Sequence, residues 1–252
     1  MDHETLELPD GRRIAYHRTP GKGPWVVFLG GFRSDMTGTK ATWLEDWARR
    51  RGQGFLRFDY TGHGASSGRF ADGAIGDWAS DAEAAITRLT DGPRVVVGSS
   101  MGGWIALLLA RRMGEGIAGL VGVAAAPDFT EDLMWARFDE GKRRDLEEQG
   151  FMTEPSDYSD EPDLVTRRLI EDGREHLVLR TPLDLPMPVR LLHGTADADV
   201  PVSVALRLLD HADAPDMRLT LVKGADHRFS TPECLAMIGE AVEEVSGGRN
   251  TP

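Results

Sequence analysis

A chain of 252 residues with 40% apolar and 28% charged side chains can bury a sizeable core, and its length suits one large α/β domain or two small ones. The formal charge of −12 argues against nucleic acid as a partner, since phosphate binding needs a basic patch, and apolar runs such as Trp104 to Ala110 are far too short to span a bilayer. A single cysteine, Cys234, leaves no internal disulfide framework and fits a reducing compartment; with no apolar signal core in Met1-Asp2-His3-Glu4, the cytoplasm is the expected location.

In chain order, residues 5–17 read as a β-hairpin turning at Pro9-Asp10-Gly11. Trp25-Val26-Val27-Phe28-Leu29 is a continuous apolar run suited to a buried parallel strand, and it ends at Gly30-Gly31-Phe32. A helix is expected from about Thr39 to Arg51, then a strand from Gly54 to Phe58, a helix from Ile75 to Leu89 and a strand at Val95-Val96-Val97. The helix after it should stop near Gly114, and Gly119 to Ala124 is the next buried strand. The alternation breaks between Pro127 and Pro188, with helical pieces expected around Glu131 to Glu148 and Asp163 to Asp172. It then resumes with a strand at Val189 to His193, a helix at Val202 to Leu209 and a strand at Arg218 to Val222. A last helix is expected from Pro232 to Val245, with Thr231 as its N-cap. Alternating strands and helices imply a mostly parallel sheet covered on both faces. On this reading residues 1–252 form one α/β domain, and 127–187 is a cap inserted over the carboxyl ends of the strands, where such sheets place ligands.

Gly98-Ser99-Ser100-Met101-Gly102 falls between an apolar strand and an apolar helix. This is the pattern of a nucleophile elbow, in which a serine is held on a tight strand-to-helix turn with its hydroxyl standing clear. A serine hydroxyl attacks a carbonyl only with help from a base, usually a histidine oriented by a carboxylate. Two later strand ends at the same sheet edge supply them in that order: His193-Gly194-Thr195-Ala196-Asp197-Ala198-Asp199, then Asp226-His227-Arg228.

Asp197 and Asp199 both qualify as the acid; Asp197 is preferred, because Asp199 precedes Val-Pro and suits a cap for the next helix. His227 is the base. His193 ends a buried strand and suits packing, His63 lies in a glycine-rich turn, and His176 belongs to the cap. The oxyanion hole needs two backbone N–H groups, expected from Met101, after the nucleophile, and from Phe32, after the first parallel strand. His-Glu-x-x-His and Cys/His ligand spacings are absent, as are phosphate-cradling glycine loops, so neither a metal nor a cofactor is expected.

Gly31-Phe32-Arg33-Ser34-Asp35-Met36-Thr37-Gly38-Thr39-Lys40, Phe58-Asp59-Tyr60-Thr61-Gly62, the elbow through Trp104, Pro188 to Gly194 and Asp226-His227-Arg228 together resemble the α/β-hydrolase superfamily. More narrowly they resemble the mitochondrial acyl-protein thioesterases, also known as acyl-glucuronide esterases, and their bacterial relatives, over most of residues 25–245. Members usually carry His-Gly where this chain has Gly30-Gly31. The resemblance implies an α/β-hydrolase fold, a triad of Ser100, Asp197 and His227, and hydrolysis of acyl esters and thioesters, including S-palmitoyl cysteine, in small molecules or acylated proteins. The same triad supports carbon–carbon bond hydrolysis or peptidase action. A non-catalytic binding protein is the alternative from another class. The apolar cap residues Phe129, Leu133, Met134, Trp135, Phe138, Phe151 and Met152 either shelter an acyl chain or simply pack the cap on the sheet.

Overall fold

In the computed structural model the described residues are 3–154 and 162–247. The acidic start at Met1-Asp2 and residues 155–161 of the expected cap lie outside them.

The chain opens with β1 (Glu4–Glu7) and β2 (Arg13–Thr19), an antiparallel pair. Then follow β3 (Lys22–Leu29), α1 (Thr39–Arg50), β4 (Gln53–Phe58), α2 (Ile75–Leu89), β5 (Arg94–Ser99), α3 (Met101–Met113) and β6 (Ile117–Val123). After an irregular stretch come α4 (Glu140–Gln149), β7 (Phe151–Glu154), β8 (Asp163–Thr166), α5 (Arg167–Glu175) and the two-residue β9 (Leu183–Asp184). The chain closes with β10 (Val189–Gly194), α6 (Val202–His211), β11 (Ala212–Asp213), β12 (Met217–Val222) and α7 (Pro232–Val245). The main sheet has the order β1-β2-β4-β3-β5-β6-β10-β12 and is parallel from β4 to β12.

Strands covered on both faces need apolar residues at every position, and successive side chains point to opposite faces. In β3, Val26 and Phe28 join one core layer, with Ala41, Leu44 and Trp47 of α1 and Leu235, Ile238 and Val242 of α7. Val27 and Leu29 join the other, with Trp78 and Ile86 of α2 and Trp104, Ile105 and Leu108 of α3. All these side chains are buried. The strict β/α alternation therefore places every β3, β5, β10 and β12 carboxyl end at one sheet edge, where the following loops meet.

The stretch between β6 and β10 keeps the helical pieces expected around Glu131 to Glu148 and departs from expectation after them. The pieces are Thr130–Met134, a π turn, Trp135–Arg137, a 3-10 turn, and α4, which starts afresh. Asp139 caps it by accepting a hydrogen bond from the Lys142 amide at 2.8 Å. Asp163 to Asp172 begins as a strand, because Asp163–Thr166 pairs antiparallel with Phe151–Glu154. The helix waits until Thr166, whose hydroxyl accepts from the Leu169 amide. α5 then docks on the start of α2, where Asp172 accepts from the Gly76 amide at 2.8 Å and Arg168 pairs with Asp77. Among the described residues no helix is long and apolar enough to cross a membrane.

Candidate active site

Ser100 sits between β5 and α3 with φ +54° and ψ −118°, a conformation that costs a non-glycine residue free energy unless its surroundings hold it. Three backbone hydrogen bonds do so. The Ser100 amide donates to Val123 O at 2.9 Å, and its carbonyl accepts from Gly103 N at 2.8 Å and Ala126 N at 3.1 Å. The elbow also needs its glycines for space. A Cβ on Gly98 would lie 2.3 Å from Gly102 O, and one on Gly102 would lie 2.2 Å from Leu29 O. Both obstacles are backbone, so neither can swing aside.

The loop after β3 runs directly against the serine, since a Cβ on Gly31 would touch Ser100 Cβ at 3.4 Å. Phe32 is anchored by edge-to-face contacts with Phe70, Trp78 and Phe129, at centroid distances of 5.0, 6.1 and 5.7 Å. Farther along, Met36 is pinned at both ends of its backbone. Its amide donates to Asp59 Oδ1 at 2.6 Å, and its carbonyl accepts from Arg57 Nη1 at 2.7 Å. Arg57, on β4, and Asp59, just after it, fix the loop's course; nothing in the sequence around them gave a sign of it. The Met101 amide opens α3, in the first turn, where helix N–H groups lack an acceptor within the helix.

The β10 and β12 loops bring up the other groups. His227 Nδ1 lies 2.9 Å from Asp197 Oδ2, and His227 Nε2 lies 3.1 Å from Ser100 Oγ. The structure thus joins Ser100, His227 and Asp197 in one chain of hydrogen bonds. The Asp197 side chain is fully buried. Its other oxygen accepts the amides of Asp199 at 3.0 Å and Val200 at 2.8 Å. Burial pushes the Asp197 carboxyl up, but the hydrogen bonds from His227 and the Val200 amide outweigh it and hold the group below its ordinary value. His193 is buried as expected: its Nε2 donates to Val200 O at 2.9 Å and stands 3.5 Å from Asp197 Oδ2, bracing the acid's loop. The two loops are tied together by Ala196 N donating to Ala225 O at 3.0 Å and Gly224 N donating to Thr195 Oγ1 at 2.9 Å.

Asp199 is not a helix cap. The N-cap of α6 is Pro201, and Asp199 instead lines the cleft, its carboxylate 4.0 Å from His227 Nε2. Asp197, Asp199 and His227 present ligand atoms within 4.8 Å of one another, a spacing that could hold a cation. Both imidazole nitrogens are already engaged, by Asp197 and Ser100, so the donor set does not fit a resident metal. His63 and His176 stand apart from the cleft. His63 is buried within a ring of Tyr60, Phe70 and Trp78, and His176 pairs with Asp172.

The serine and histidine open into a cleft of about 650 Å³. Of the seven apolar residues considered for an acyl site, Phe129, Leu133 and Met134 line it. Trp135 instead lies between the guanidinium groups of Arg143 and Arg174, with Phe138 at its edge, and Phe151 is exposed on β7.

A family model described as the alpha/beta hydrolase family matches residues 26–236. The chain is 33% identical over 241 residues to human "Palmitoyl-protein thioesterase ABHD10, mitochondrial", covering 95% of this chain and 78% of that protein. Among solved structures, a putative hydrolase from Agrobacterium vitis S4 superposes with a TM-score of 0.92 at 41% identity, covering 98% of this chain and 100% of that one. Mouse alpha/beta hydrolase domain-containing protein 10 gives 0.90 at 31% identity, covering 97% and 98%. With the fold, the elbow and these likenesses in agreement, the chain belongs to the alpha/beta hydrolase family.

Proposed function

We propose that this protein is a serine hydrolase that cleaves carboxylic thioesters and esters through an acyl-enzyme intermediate. One observation carries the reading: the unbroken path Asp197–His227–Ser100, at 2.9 and 3.1 Å, ending on a serine held at positive φ. His227 Nε2 takes the Ser100 proton as Oγ attacks the acyl carbon, and Asp197 keeps the His227 Nδ1–H pointed its way. The amides of Phe32 and Met101 donate to the tetrahedral oxyanion. The leaving thiol or alcohol departs with the proton from His227. A water molecule, deprotonated by the same imidazole, then attacks the acyl carbon and releases the acid, and Ser100 recovers its proton.

The substrate class rests on likeness and on the cleft. The human relative is named a palmitoyl-protein thioesterase, and Phe129, Leu133 and Met134 offer an apolar wall beside Ser100. An S-acylated protein or small thioester is therefore the preferred substrate, with acyl esters such as acyl glucuronides second. We read the segment 127–187 as a cap, because these three residues and Asp163 reach over the cleft from it. The buried, unpaired Cys234 fits a reducing compartment, the cytoplasm in our reading; the mitochondrial location belongs to the relatives' names.

The test is a series of S-acyl and p-nitrophenyl esters of increasing chain length. The reading predicts turnover that Ser100→Ala abolishes, with thioesters favoured in kcat/KM. Turnover unaffected by Ser100→Ala would sink it.

A further inference from the structure

Lys40 is out of place by the rules of helix electrostatics. It stands in the first turn of α1, where the positive end of the helix dipole disfavours a cation. What holds it there is a contact on the far side of the cleft: its ammonium donates to the carbonyl oxygen of Arg228, the residue after His227. That carbonyl belongs to the peptide between Arg228 and Phe229, and Phe229 is a fully buried bulky residue at φ +48°. A left-handed aromatic residue costs free energy that the surroundings must offset. The other end of the same peptide is also held. The Phe229 N–H donates to Asp226 Oδ1 at 3.1 Å and to Asp226 O at 3.3 Å. A cation thus takes the C=O and a carboxylate takes the N–H of one strained peptide, and both bonds are charge-assisted.

We infer that Lys40 and Asp226 are positioning residues for His227: from opposite ends they clamp the peptide that follows it, and so keep its imidazole between Asp197 and Ser100. The inference rests on the triad proposed above. It also gives a role to Asp226, which cannot serve as the orienting acid because Asp197 occupies that position. Lys40 bridges the helix that follows the Phe32 loop and the loop that carries the histidine, so the clamp joins the two sides of the reaction centre.

The clamp is sensitive to charge. Burial, with a further push from the Arg228 guanidinium, lowers the Lys40 ammonium to about 8, and the Asp226 carboxylate opposes that fall. The other titratable groups lining the cleft are Arg33 and Asp35, before α1, Arg137 and Asp163, between β6 and β10, Asp199, after β10, and His227 itself. A neutral amine still donates a hydrogen bond, but a weaker one, so loss of the Lys40 proton should lower the rate to a plateau rather than to zero.

The experiment is kcat and KM for p-nitrophenyl butyrate between pH 6.5 and 9.5, with spontaneous hydrolysis subtracted, for the unaltered protein, Lys40→Arg, Lys40→Met, Asp226→Asn and Ser100→Ala. We expect kcat of the unaltered protein to fall about threefold with a midpoint near pH 8, with KM steady. Lys40→Arg, charged throughout, should lose that limb, and Lys40→Met should sit at the lower plateau at every pH. Asp226→Asn keeps an acceptor for the Phe229 amide but removes the opposing charge, so its midpoint should move below pH 8. If Lys40→Arg fails to fold, Lys40→Met and Asp226→Asn decide the matter alone. The same limb at the same midpoint in those two variants overturns the clamp, provided Ser100→Ala is inert. Activity surviving in Ser100→Ala overturns the triad instead.

Discussion

Two aspartates flank the His227 imidazole, and their surroundings set them apart. Asp197 is buried, takes two backbone amides on one oxygen and His227 Nδ1 on the other, and so fixes the ring's tautomer. Asp199 faces the cleft and approaches Nε2 at 4.0 Å without supporting Nδ1. Asp197→Asn should therefore lower kcat by about 10³- to 10⁴-fold through the wrong tautomer, while Asp199→Asn should change it less than about tenfold. Steady-state kinetics on the two variants checks this, and equal losses would reassign the acid. The hydrogen-bonded set of Ser100, Asp197 and His227 was legible in the sequence because each member sits at a strand end in a fixed order. Lys40 was not, because its partner lies 188 residues away and nothing local marks the contact. The hold of Arg57 and Asp59 on Met36 was not legible for a similar reason: their partner lies more than 20 residues before them and nothing local marks the contact.

At the scale of elements, the return of the chain from the segment 127–187 depends on one buried carboxylate. Asp128 follows β6 at φ +56° with no exposed surface. It accepts the amides of Val178 at 2.8 Å and Leu179 at 3.0 Å, and Arg180 at 2.8 Å. Arg180 also reaches Asp132, which Arg207 of α6 engages at 2.7 Å. Asp128→Ala strands two buried amides, while Arg180 keeps Asp132, and should cost about 2–4 kcal/mol, read as a lower denaturation midpoint in urea. A loss under about 1 kcal/mol would show that water replaces the carboxylate. The same segment is where sequence reading of the fold failed. Two-sided parallel strands and capped helices announce themselves through local pattern, as α2 and α7 do to the residue. The β7–β8 pair does not, because Asp163–Thr166 becomes a strand only by meeting Phe151–Glu154.

Across the whole molecule, stability should fall in mild acid because of His63. Its ring is buried among Tyr60, Phe70 and Trp78, and its Nε2 has no hydrogen-bond partner among the described residues. Burial lowers its pKa from 6.5 to about 4. The unfolded chain binds a proton near 6.5, which the folded chain refuses until about 4. Stability is thus unaffected above pH 6.5 and declines as the pH falls from there to 4, by about 3 kcal/mol at 1.36 kcal/mol per unit. His63→Phe should remove that part of the decline, and urea unfolding at pH 7 and pH 4.5 would show it. An unchanged pH dependence in the variant would place the acid sensitivity elsewhere. The aromatic cluster that holds His63 also backs Phe32, so the same packing supports both stability and the loop after β3.

The central claim is that Ser100 is an activated nucleophile, and a fluorophosphonate probe tests it most directly, since only a serine with a working base reacts quickly. After labelling, peptide mapping by mass spectrometry should find the phosphonyl group on Ser100, with the labelling rate falling by at least about 10³-fold in His227→Ala. Labelling that maps elsewhere, or that proceeds at an undiminished rate without His227, would contradict the account.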